Sequence, residues 1–181
     1  MGKNIIITGG AGFIGSRFSK LCLEKKHTIK IIDKLTYAAD LHRLPSPLPE
    51  TIIKDICDIT EDDIEGFDYI VNFAAETHDD NSIKDGKPFI RSNVEGVFNL
   101  LEQSRKVGIK KFIQISTDEV YGDILEGESK ETDNLNPSSY YSATKASADM
   151  LVLSAHRTYG LPYIITRTCN NYGPGQHEEK F

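Results

Sequence analysis

The chain has 181 residues, and its 21 lysines and arginines stand against 27 aspartates and glutamates, for a formal net charge of −6 at pH 7. This length suits one domain with an ordinary hydrophobic core, and the acidic balance without blocks of like charge argues against binding to nucleic acid or to an anionic membrane. No apolar run approaches the ~18 residues of a membrane span, and no leader-like segment precedes the first apolar run. We therefore expect a soluble, cytoplasmic protein.

Short apolar runs alternate with helical patterns along the chain, which is typical of a parallel sheet covered by helices on both faces. The predicted strands, in chain order, are Asn4–Thr8, Ile29–Ile32, Thr51–Lys54, Tyr69–Ala74, Lys111–Ser116 and Pro162–Thr166. Helical spacing follows the first strand, and two longer helices are predicted at Phe89–Val107 and Tyr141–Tyr159. The proline-rich stretch Leu35–Glu50 and the acidic stretch Gly122–Ser138 are predicted loops. The fold class is therefore α/β with a doubly wound parallel sheet.

A glycine-rich turn, Thr8-Gly9-Gly10-Ala11-Gly12-Phe13-Ile14-Gly15, separates the first predicted strand from the first helix. Gly9 permits the tight turn, Gly12 lets a diphosphate approach the backbone, and Gly15 allows close packing of the helix. The N–H groups and partial positive charge of a helix N-terminus would hold the phosphates. The pattern predicts a Rossmann-type nucleotide domain over residues 1–167.

The second predicted strand ends at Asp33, next to Lys34. In a Rossmann-type domain a carboxylate at this place can accept both ribose hydroxyls of an adenosine, and it repels a 2′-phosphate. We therefore predict that the cofactor is NAD rather than NADP. The Lys34 ammonium could soften that preference.

Two further segments carry groups suited to proton transfer. Thr117, Asp118 and Glu119 follow the fifth predicted strand, and Tyr141 and Lys145 lie four residues apart on one face of the next helix. A tyrosine has an unperturbed pKa near ~10, but a neighbouring ammonium and a positively charged nicotinamide both favour the phenolate, which can act as a general base.

Each of these groups also has a purely structural interpretation. A Tyr–Lys pair on a helix is more often a solvated face, and an Asp–Glu pair after a strand is more often turn and cap chemistry. Their occurrence together, in this order and after the glycine turn, favours catalysis. We interpret His78 as an ordering or packing residue, because no second ligand stands at useful spacing. Cys22, Cys57 and Cys169 lie far apart, so we interpret them as reduced, buried thiols and predict no metal site.

With these residues located, the chain resembles the extended short-chain dehydrogenase/reductase family, and within it the nucleotide-sugar 4,6-dehydratases that act on substrates such as dTDP-glucose. The Thr-Asp-Glu run after the fifth strand is the most specific feature, because related 4-epimerases carry small or hydroxylic residues in place of the acids. The other segments that carry the resemblance are Thr8–Gly15, Asp33–Ala38, Asp55–Asp58, Ala74–His78, Tyr141–Lys145 and Asn170–Pro174.

The resemblance implies a set of site residues. Those implied to bind NAD, together with Tyr141 and Lys145, are Gly9, Gly12, Phe13, Ile14, Gly15, Asp33, Lys34, Leu35, Thr36, Asp55, Ile56, Phe73, Ala74, Ala75, Thr77, Ser92 and Asn171. Those implied to face a nucleotide-sugar substrate are Thr77, Thr117, Asn170, Glu179 and Lys180. Residues 168–181 would begin a substrate-binding region that continues further in family members, so we expect most of that lobe to be absent from this chain.

The resemblance also implies a mechanism. Tyr141 would take the 4-hydroxyl proton, with Thr117 sharing the hydrogen bond, while hydride leaves C4 for NAD. Glu119 would then remove the C5 proton as Asp118 protonates the departing 6-hydroxyl. Hydride would return to C6, with a proton restored to C5, to leave a 4-keto-6-deoxy sugar.

Two alternatives remain open at this point. A nucleotide-sugar 4-epimerase would keep Tyr141, Lys145 and NAD but have no use for the two acids, and a non-catalytic NAD-binding regulator would use the glycine turn alone. The resemblance further implies a homodimer in which Phe89–Val107 and the helix after Tyr141 form a four-helix bundle. Val94, Val97, Phe98 and Leu101 form one apolar stripe on the first of these helices, and that stripe could equally pack on the sheet.

Overall fold

One six-stranded parallel sheet forms the centre of the molecule, which is known from a computed structural model that describes residues 2–176. The strands are β1 (Asn4–Thr8), β2 (Thr28–Asp33), β3 (Glu50–Ile53), β4 (Tyr69–Asn72), β5 (Lys111–Thr117) and β6 (Tyr163–Thr168). Their order across the sheet is β3-β2-β1-β4-β5-β6. The predicted doubly wound fold is confirmed, and every predicted strand end lies within two residues of the observed one.

Helices cover both faces of the sheet. They are α1 (Phe13–Glu24), α2 (Glu61–Ile64), α3 (Asp79–Lys84), α4 (Lys87–Phe89), a π-helical segment (Ile90–Glu95), α5 (Gly96–Val107) and α6 (Tyr140–Tyr159). The predicted loop Leu35–Glu50 contains a single 3₁₀ turn, Leu41–Arg43, and the predicted loop Gly122–Ser138 holds no helix or strand. Both loop predictions are confirmed.

The uninterrupted apolar strands are explained by burial on both faces. In β1, Ile6 packs with Ile70 and Phe112 beneath α5 and α6, whereas Ile5 and Ile7 point to the opposite face, which packs against α1. Successive strand residues alternate between faces, so each strand contributes to both cores. This double burial fixes β1 at the centre of the sheet and the ends of its neighbours around it.

The helix predicted at Phe89–Val107 has two parts joined by the π-helical segment, and it ends at Gly108 in the left-handed conformation, as predicted. The predicted apolar stripe is partly wrong. Val97 and Leu101 are buried, but Phe98 is 54% exposed. The buried face of α5 is centred on Val97 and continues through Leu100, so Phe98 lies to the side of it.

The three cysteines are all free, but only Cys22 is fully buried. Cys169 is exposed, so the interpretation of it as a buried thiol is wrong; it follows β6 directly, outside the packed sheet. Within residues 2–176, no helix is long and apolar enough to cross a membrane. The same residues contain no group of three or more histidine, cysteine, aspartate or glutamate side chains that could hold a metal ion.

Candidate active site

A groove of about 570 Å³ opens at the carboxyl ends of the strands, where the order of the sheet reverses between β1 and β4. This crevice is where open α/β sheets bind ligands, and its volume is in the usual range for a small-molecule site. Of the residues predicted to bind a cofactor, to face the substrate or to act in catalysis, the groove is lined by Gly9, Gly12, Phe13, Ile14, Gly15, Asp33, Lys34, Thr36, Asp55, Ile56, Phe73, Ala74, Ala75, Thr77, Ser92, Thr117, Glu119, Tyr141, Lys145, Asn170 and Asn171.

The glycine turn is built so tightly that side chains would not fit. Gly9 has a left-handed φ of +66°, and a Cβ atom there would lie 2.6 Å from the Ala74 nitrogen. A Cβ on Gly15 would collide with the Gly9 carbonyl oxygen. A Cβ atom on Gly12 would have one neighbour within 4 Å, the Gly9 carbonyl oxygen at 3.2 Å. Gly12 also lines the groove, so its backbone faces the open space. Two glycines therefore shape the turn, and the third leaves room for a ligand.

Helix α1 points its N-terminus into the groove. Its N-cap residue, Gly12, provides no side-chain acceptor, and the first turn carries no acidic residue. The N–H groups of that turn and the positive end of the helix dipole suit a diphosphate.

Asp33 is placed to receive a ribose. It ends β2 at the groove and is 8% exposed. Its Oδ2 accepts a hydrogen bond of 2.9 Å from the Ala11 N–H and its Oδ1 one of 2.9 Å from the Leu35 N–H. Each carboxylate oxygen keeps a further lone pair for a hydroxyl donor. The residues present therefore fit a dinucleotide with a free 2′-hydroxyl.

Lys34 does not extend freely into the groove. Its Nζ lies 2.8 Å from Glu76 Oε1, donates a hydrogen bond of 2.8 Å to Ser92 Oγ, and lies 4.0 Å from Asp55 Oδ2. An ammonium held by two carboxylates is a poor partner for a 2′-phosphate, because binding the phosphate would require breaking these contacts.

Asp55 lines the groove near Lys34 and Arg91. Burial opposes its ionisation, but the Cys57 N–H and the cations of Lys34 and Arg91 outweigh burial, so the pKa of Asp55 lies below its ordinary value. The same carboxylate, together with burial as the larger cause, raises the pKa of the Cys57 thiol to about 11. At neutral pH this thiol is therefore protonated and unreactive.

The turn after β5 separates the two predicted acids. Thr117 is 7% exposed; its Oγ1 accepts a hydrogen bond of 3.3 Å from the Glu119 N–H and donates one of 3.2 Å to Asp118 Oδ1. Glu119 lines the groove, whereas Asp118 is exposed and is absent from the lining. Adjacent residues in a 3₁₀ turn point in different directions, which gives the two carboxyl groups different environments.

Tyr141 and Lys145 come from the first turns of α6. Ser139 caps the helix, accepting a hydrogen bond of 3.0 Å from the Ser142 N–H. Tyr141 is 9% exposed and its ring meets Phe89 edge-on at 6.3 Å between centroids. Lys145 is 4% exposed, and its Nζ donates a hydrogen bond of 2.6 Å to the Ile115 carbonyl. Burial lowers the pKa of Lys145 to about 8.

The π-helical segment joins the cofactor side of the groove to α6. It presents Ser92 to the groove and turns Asn93 inward, where Nδ2 donates 3.0 Å hydrogen bonds to the Glu76 carbonyl and to Thr144 Oγ1. The Glu76 N–H in turn donates to Asn93 Oδ1 at 2.8 Å. Such π segments occur mostly at functional sites. Asn93 was missed by sequence analysis, since nothing in the local pattern indicates a wide helical turn.

Some predicted site residues lie elsewhere. Leu35 is absent from the lining and packs on the core beneath α1, and Glu179 and Lys180 lie outside the described residues. Other residues line the groove without having been predicted, among them Lys54, His78, Asp80, Ser116, Thr168, Cys169 and Gln176. Lys54 and Thr168 stand at the carboxyl ends of β3 and β6, so their position in the sheet could have indicated them.

Residues 5–181 match the NAD dependent epimerase/dehydratase family. The low-salt glycan biosynthesis protein Agl12 of Haloferax volcanii is 46% identical over an alignment that covers 98% of this chain and 59% of that protein.

Two solved structures show the same fold. DesIV, a dTDP-glucose 4,6-dehydratase from Streptomyces venezuelae with NAD bound, superposes with a TM-score of 0.94 at 40% identity, over 97% of this chain and 58% of that one. A UDP-N-acetylglucosamine 4-epimerase from Methanobrevibacter ruminantium gives 0.92 at 32% identity, over 98% and 58%. The chain therefore spans less than two thirds of the length of each relative.

Proposed function

This chain belongs to the NAD dependent epimerase/dehydratase family, and we propose that the protein is an NAD-dependent nucleotide-sugar 4,6-dehydratase. In this proposal it is a hydro-lyase that converts a nucleoside-diphosphate hexose, with dTDP-glucose as the favoured substrate, to the 4-keto-6-deoxy sugar. One observation carries the proposal: Thr117, Glu119, Tyr141 and Lys145 line the same groove as the glycine turn and Asp33.

The cofactor would be held mainly by backbone. The N–H groups at the start of α1 would bind the diphosphate, Asp33 would accept the adenosine ribose hydroxyls, and Asp55 and Ile56 would flank the adenine. The engagement of Lys34 with Glu76 and Ser92 supports NAD over NADP. When bound, NAD supplies a hydride acceptor that can return the hydride later in the same cycle, so no net oxidation occurs.

Tyr141 would act first, as a general base on the sugar 4-hydroxyl. The Lys145 ammonium beside it favours the phenolate form, and the Thr117 hydroxyl, 7% exposed at the end of β5, can share the hydrogen bond to the same oxygen. The C4 ketone that results acidifies the proton on C5.

The two acids would then divide the elimination between them. Glu119, which faces the groove, would remove the C5 proton as a base, while Asp118 in its protonated form would give its proton to the departing C6 hydroxyl as water leaves. Different environments can hold neighbouring carboxyl groups in opposite protonation states. The structure places Glu119 in the groove and leaves Asp118 outside its lining, so the choice of Asp118 as the acid rests on the family resemblance.

The alternative within the family is a 4-epimerase, and the similarity to a solved 4-epimerase supports considering it. An epimerase needs Tyr141 and Lys145 but has no elimination step for Asp118 and Glu119 to catalyse. The carboxyl pair directly after Thr117 therefore favours dehydration.

The decisive experiment incubates the full-length protein with dTDP-, UDP-, GDP- and CDP-hexoses and identifies products by mass. Dehydration predicts loss of the mass of one water molecule without net NADH, whereas epimerisation leaves the mass unchanged. Asp118→Asn and Glu119→Gln should stall elimination while the first oxidation remains measurable as transient absorbance of the reduced cofactor. Full turnover in both variants would show that the assigned roles are wrong.

For the assembly, we propose a homodimer through the helices next to the site. Exposed apolar side chains gather there: Ile83, Ile90, Phe98, Tyr140 and Met150. Ile90 and Tyr140 also line one shallow cavity between α4 and α6. A Phe98→Glu variant should convert a dimer to a monomer in light scattering, and an unchanged mass would argue against this interface.

Residues Thr77 and Asn170 are proposed to contact the nucleotide sugar.

A further inference from the structure

The strongest candidate outside the assigned machinery is a buried charge behind the catalytic lysine. Asp149 lies on α6, four residues after Lys145 and therefore on the same face of the helix. Its side chain is 0% exposed, and Lys145 is 4% exposed. Two opposite charges one turn apart in the interior attract each other more strongly than they would in water.

Asp149 is held from the other side by the last strand. Arg167 on β6 donates a hydrogen bond of 2.9 Å from Nε to Asp149 Oδ2, and another of 2.7 Å to the Tyr121 hydroxyl. The guanidinium also lies 5.1 Å from the centre of the Tyr121 ring. Arg167 therefore ties Asp149 to the same 3₁₀ turn that carries Asp118 and Glu119.

The second carboxylate oxygen of Asp149 faces the active-site strand. Among the described residues, Asp149 Oδ1 and Ser116 Oγ are both buried without a hydrogen bond of good geometry. They lie close enough, however, for the Ser116 hydroxyl to lower the pKa of Asp149 against the larger, opposite effect of burial. The Asp149 carboxylate is thus held between Arg167 on β6 and Ser116 on β5, and Ser116 directly follows Ile115, whose carbonyl accepts from Lys145 Nζ.

Charged and titratable groups stand on the three elements that meet at Lys145. Tyr141 and Asp149 share α6, Asp118 and Glu119 stand on the turn after β5, and Arg167 lies on β6. Strand β5 otherwise presents the Ile115 carbonyl and the hydroxyls of Ser116 and Thr117. The Asp149 charge raises the pKa of Lys145, and burial, which is the larger effect, lowers it.

We propose that Asp149 is a positioning residue for Lys145: its buried carboxylate, fixed by Arg167, is the counter-charge that keeps the Lys145 ammonium protonated beside Tyr141. The inference rests on the proposed function, because a charged Lys145 matters to catalysis only if Tyr141 serves as the base. It extends the catalytic arrangement one helical turn deeper, to a group that never touches substrate or cofactor.

The test titrates Lys145 directly. In protein labelled with ¹⁵N at the lysine Nζ, the Lys145 signal is assigned by its loss in Lys145→Met and followed against pH. Wild type is expected to titrate near about 8. Asp149→Asn should lower that midpoint by about one pH unit or more, since an opposite charge nearby shifts a pKa by this amount. An unchanged or higher midpoint would overturn the inference.

Further variants keep the test decisive. Asp149→Asn leaves the Arg167 charge unpaired and could fail to fold, so the double variant Asp149→Asn/Arg167→Met removes both charges and should show the same fall. Asp149→Glu retains a carboxylate and should keep the midpoint near that of wild type. Glu102→Gln, which removes one negative charge from a partly buried side chain on α5, is the matched control and should leave the titration unchanged.

A purely structural role for Asp149 would lower stability without moving the Lys145 titration, and that result would also overturn the inference. Because the readout is a titration, it is separate from turnover. If the midpoint falls as expected but wild type converts no nucleotide sugar, the proposed function fails while the coupling of Asp149 to Lys145 stands.

Discussion

The two halves of the groove are built in different ways. On the side of β1 and β2, the ligand surface is mostly backbone: a glycine turn with no room for side chains and the bare N-terminus of α1. On the side of β5 and α6 the surface is made of buried polar side chains, among them Thr117 and Lys145, and Asp149 lies behind it. The first half depends on close approach, and the second on protonation states set by burial. Substitutions should therefore act differently in the two halves.

The largest effect is expected from Tyr141→Phe in the catalytic half. It removes one hydroxyl and keeps the ring against Phe89, so turnover should fall by about 10²- to 10⁴-fold while cofactor affinity and thermal stability change little. Steady-state kinetics on the nucleotide sugar, with binding measured by calorimetry, check this. Tyr159→Phe, on the exposed end of the same helix, is the control. Equal loss in both variants would contradict the assigned role.

Gly15→Ala should have the next largest effect, in the nucleotide half. The added methyl group would collide with the Gly9 carbonyl, so the turn must shift, at a cost near the upper end of overpacking effects, about 3 kcal/mol. Denaturant unfolding should show the loss of stability, and NAD affinity should fall with it. Gly108→Ala tests positive φ alone, since a Cβ there meets nothing within 4 Å, and should cost about 1 kcal/mol.

If Gly15→Ala binds NAD as tightly as wild type does, the close approach of backbone to ligand is not what shapes this half. If Gly108→Ala costs as much as Gly15→Ala, the strain comes from the backbone conformation and not from the collision.

The catalytic half should show a stability that depends on pH. Burial lowers the pKa of Lys145 from 10.5 to about 8, whereas the unfolded chain restores the ordinary value. Between these two pH values the unfolded state binds more protons than the folded state. Burying the charged Lys145 therefore lowers the free energy of unfolding by its full amount below about pH 8, and this loss shrinks as pH rises. Relative to Lys145→Met, wild type should gain about 2 kcal/mol between about pH 7 and about pH 9.5.

Urea unfolding of both proteins at each pH measures that difference, in which titrating groups that do not interact with Lys145 cancel. Lys106→Met, which removes an exposed lysine on α5, is the control and should give a flat difference. A flat difference for Lys145→Met would mean that the buried amine does not carry a destabilising charge.

The smallest effects are expected at the helix caps, where a helix of the catalytic half can be compared with a helix outside the groove. Ser139 caps α6 and Thr60 caps the short helix α2, both in capping boxes. Alanine at either position should cost about 1 kcal/mol. Ser139→Ala should also lower kcat, because the cap fixes the first turn that carries Tyr141, whereas Thr60→Ala should leave kcat unchanged. Thermal unfolding with kinetics measures both, and equal kcat in the two variants would contradict the positioning effect of Ser139.

Sequence analysis succeeded where the physical requirement is local. The strands could be predicted from apolar runs, because burial on both faces leaves no alternation of polar residues. The glycine turn could be predicted because only glycine fits there. Asp33 was predicted at the end of the second strand and lies there, since the βαβ unit fixes the position of that strand relative to the turn. Tyr141 and Lys145 share a face because four residues are about one helical turn.

It failed where a residue's surroundings come from distant segments. Phe98 was assigned to the apolar stripe, but the packing of α5 turns it outward. The role foreseen for Lys34 depended on its being free, and its contacts with Glu76 and Ser92 are set by β4 and the π-helical segment. Asn93 gave no signal at all, because a π turn is produced by packing and not by composition.

By itself the sequence determined the sheet, the glycine turn and the presence of a Tyr–Lys pair, since each depends on neighbours only a few residues away. Only the tertiary structure decided that Asp149 and Arg167 would meet behind Lys145, and that Glu119 would face the groove while Asp118 would not. The reason is that a charge in a protein is governed by what is buried around it, and burial is a property of segments brought together by folding.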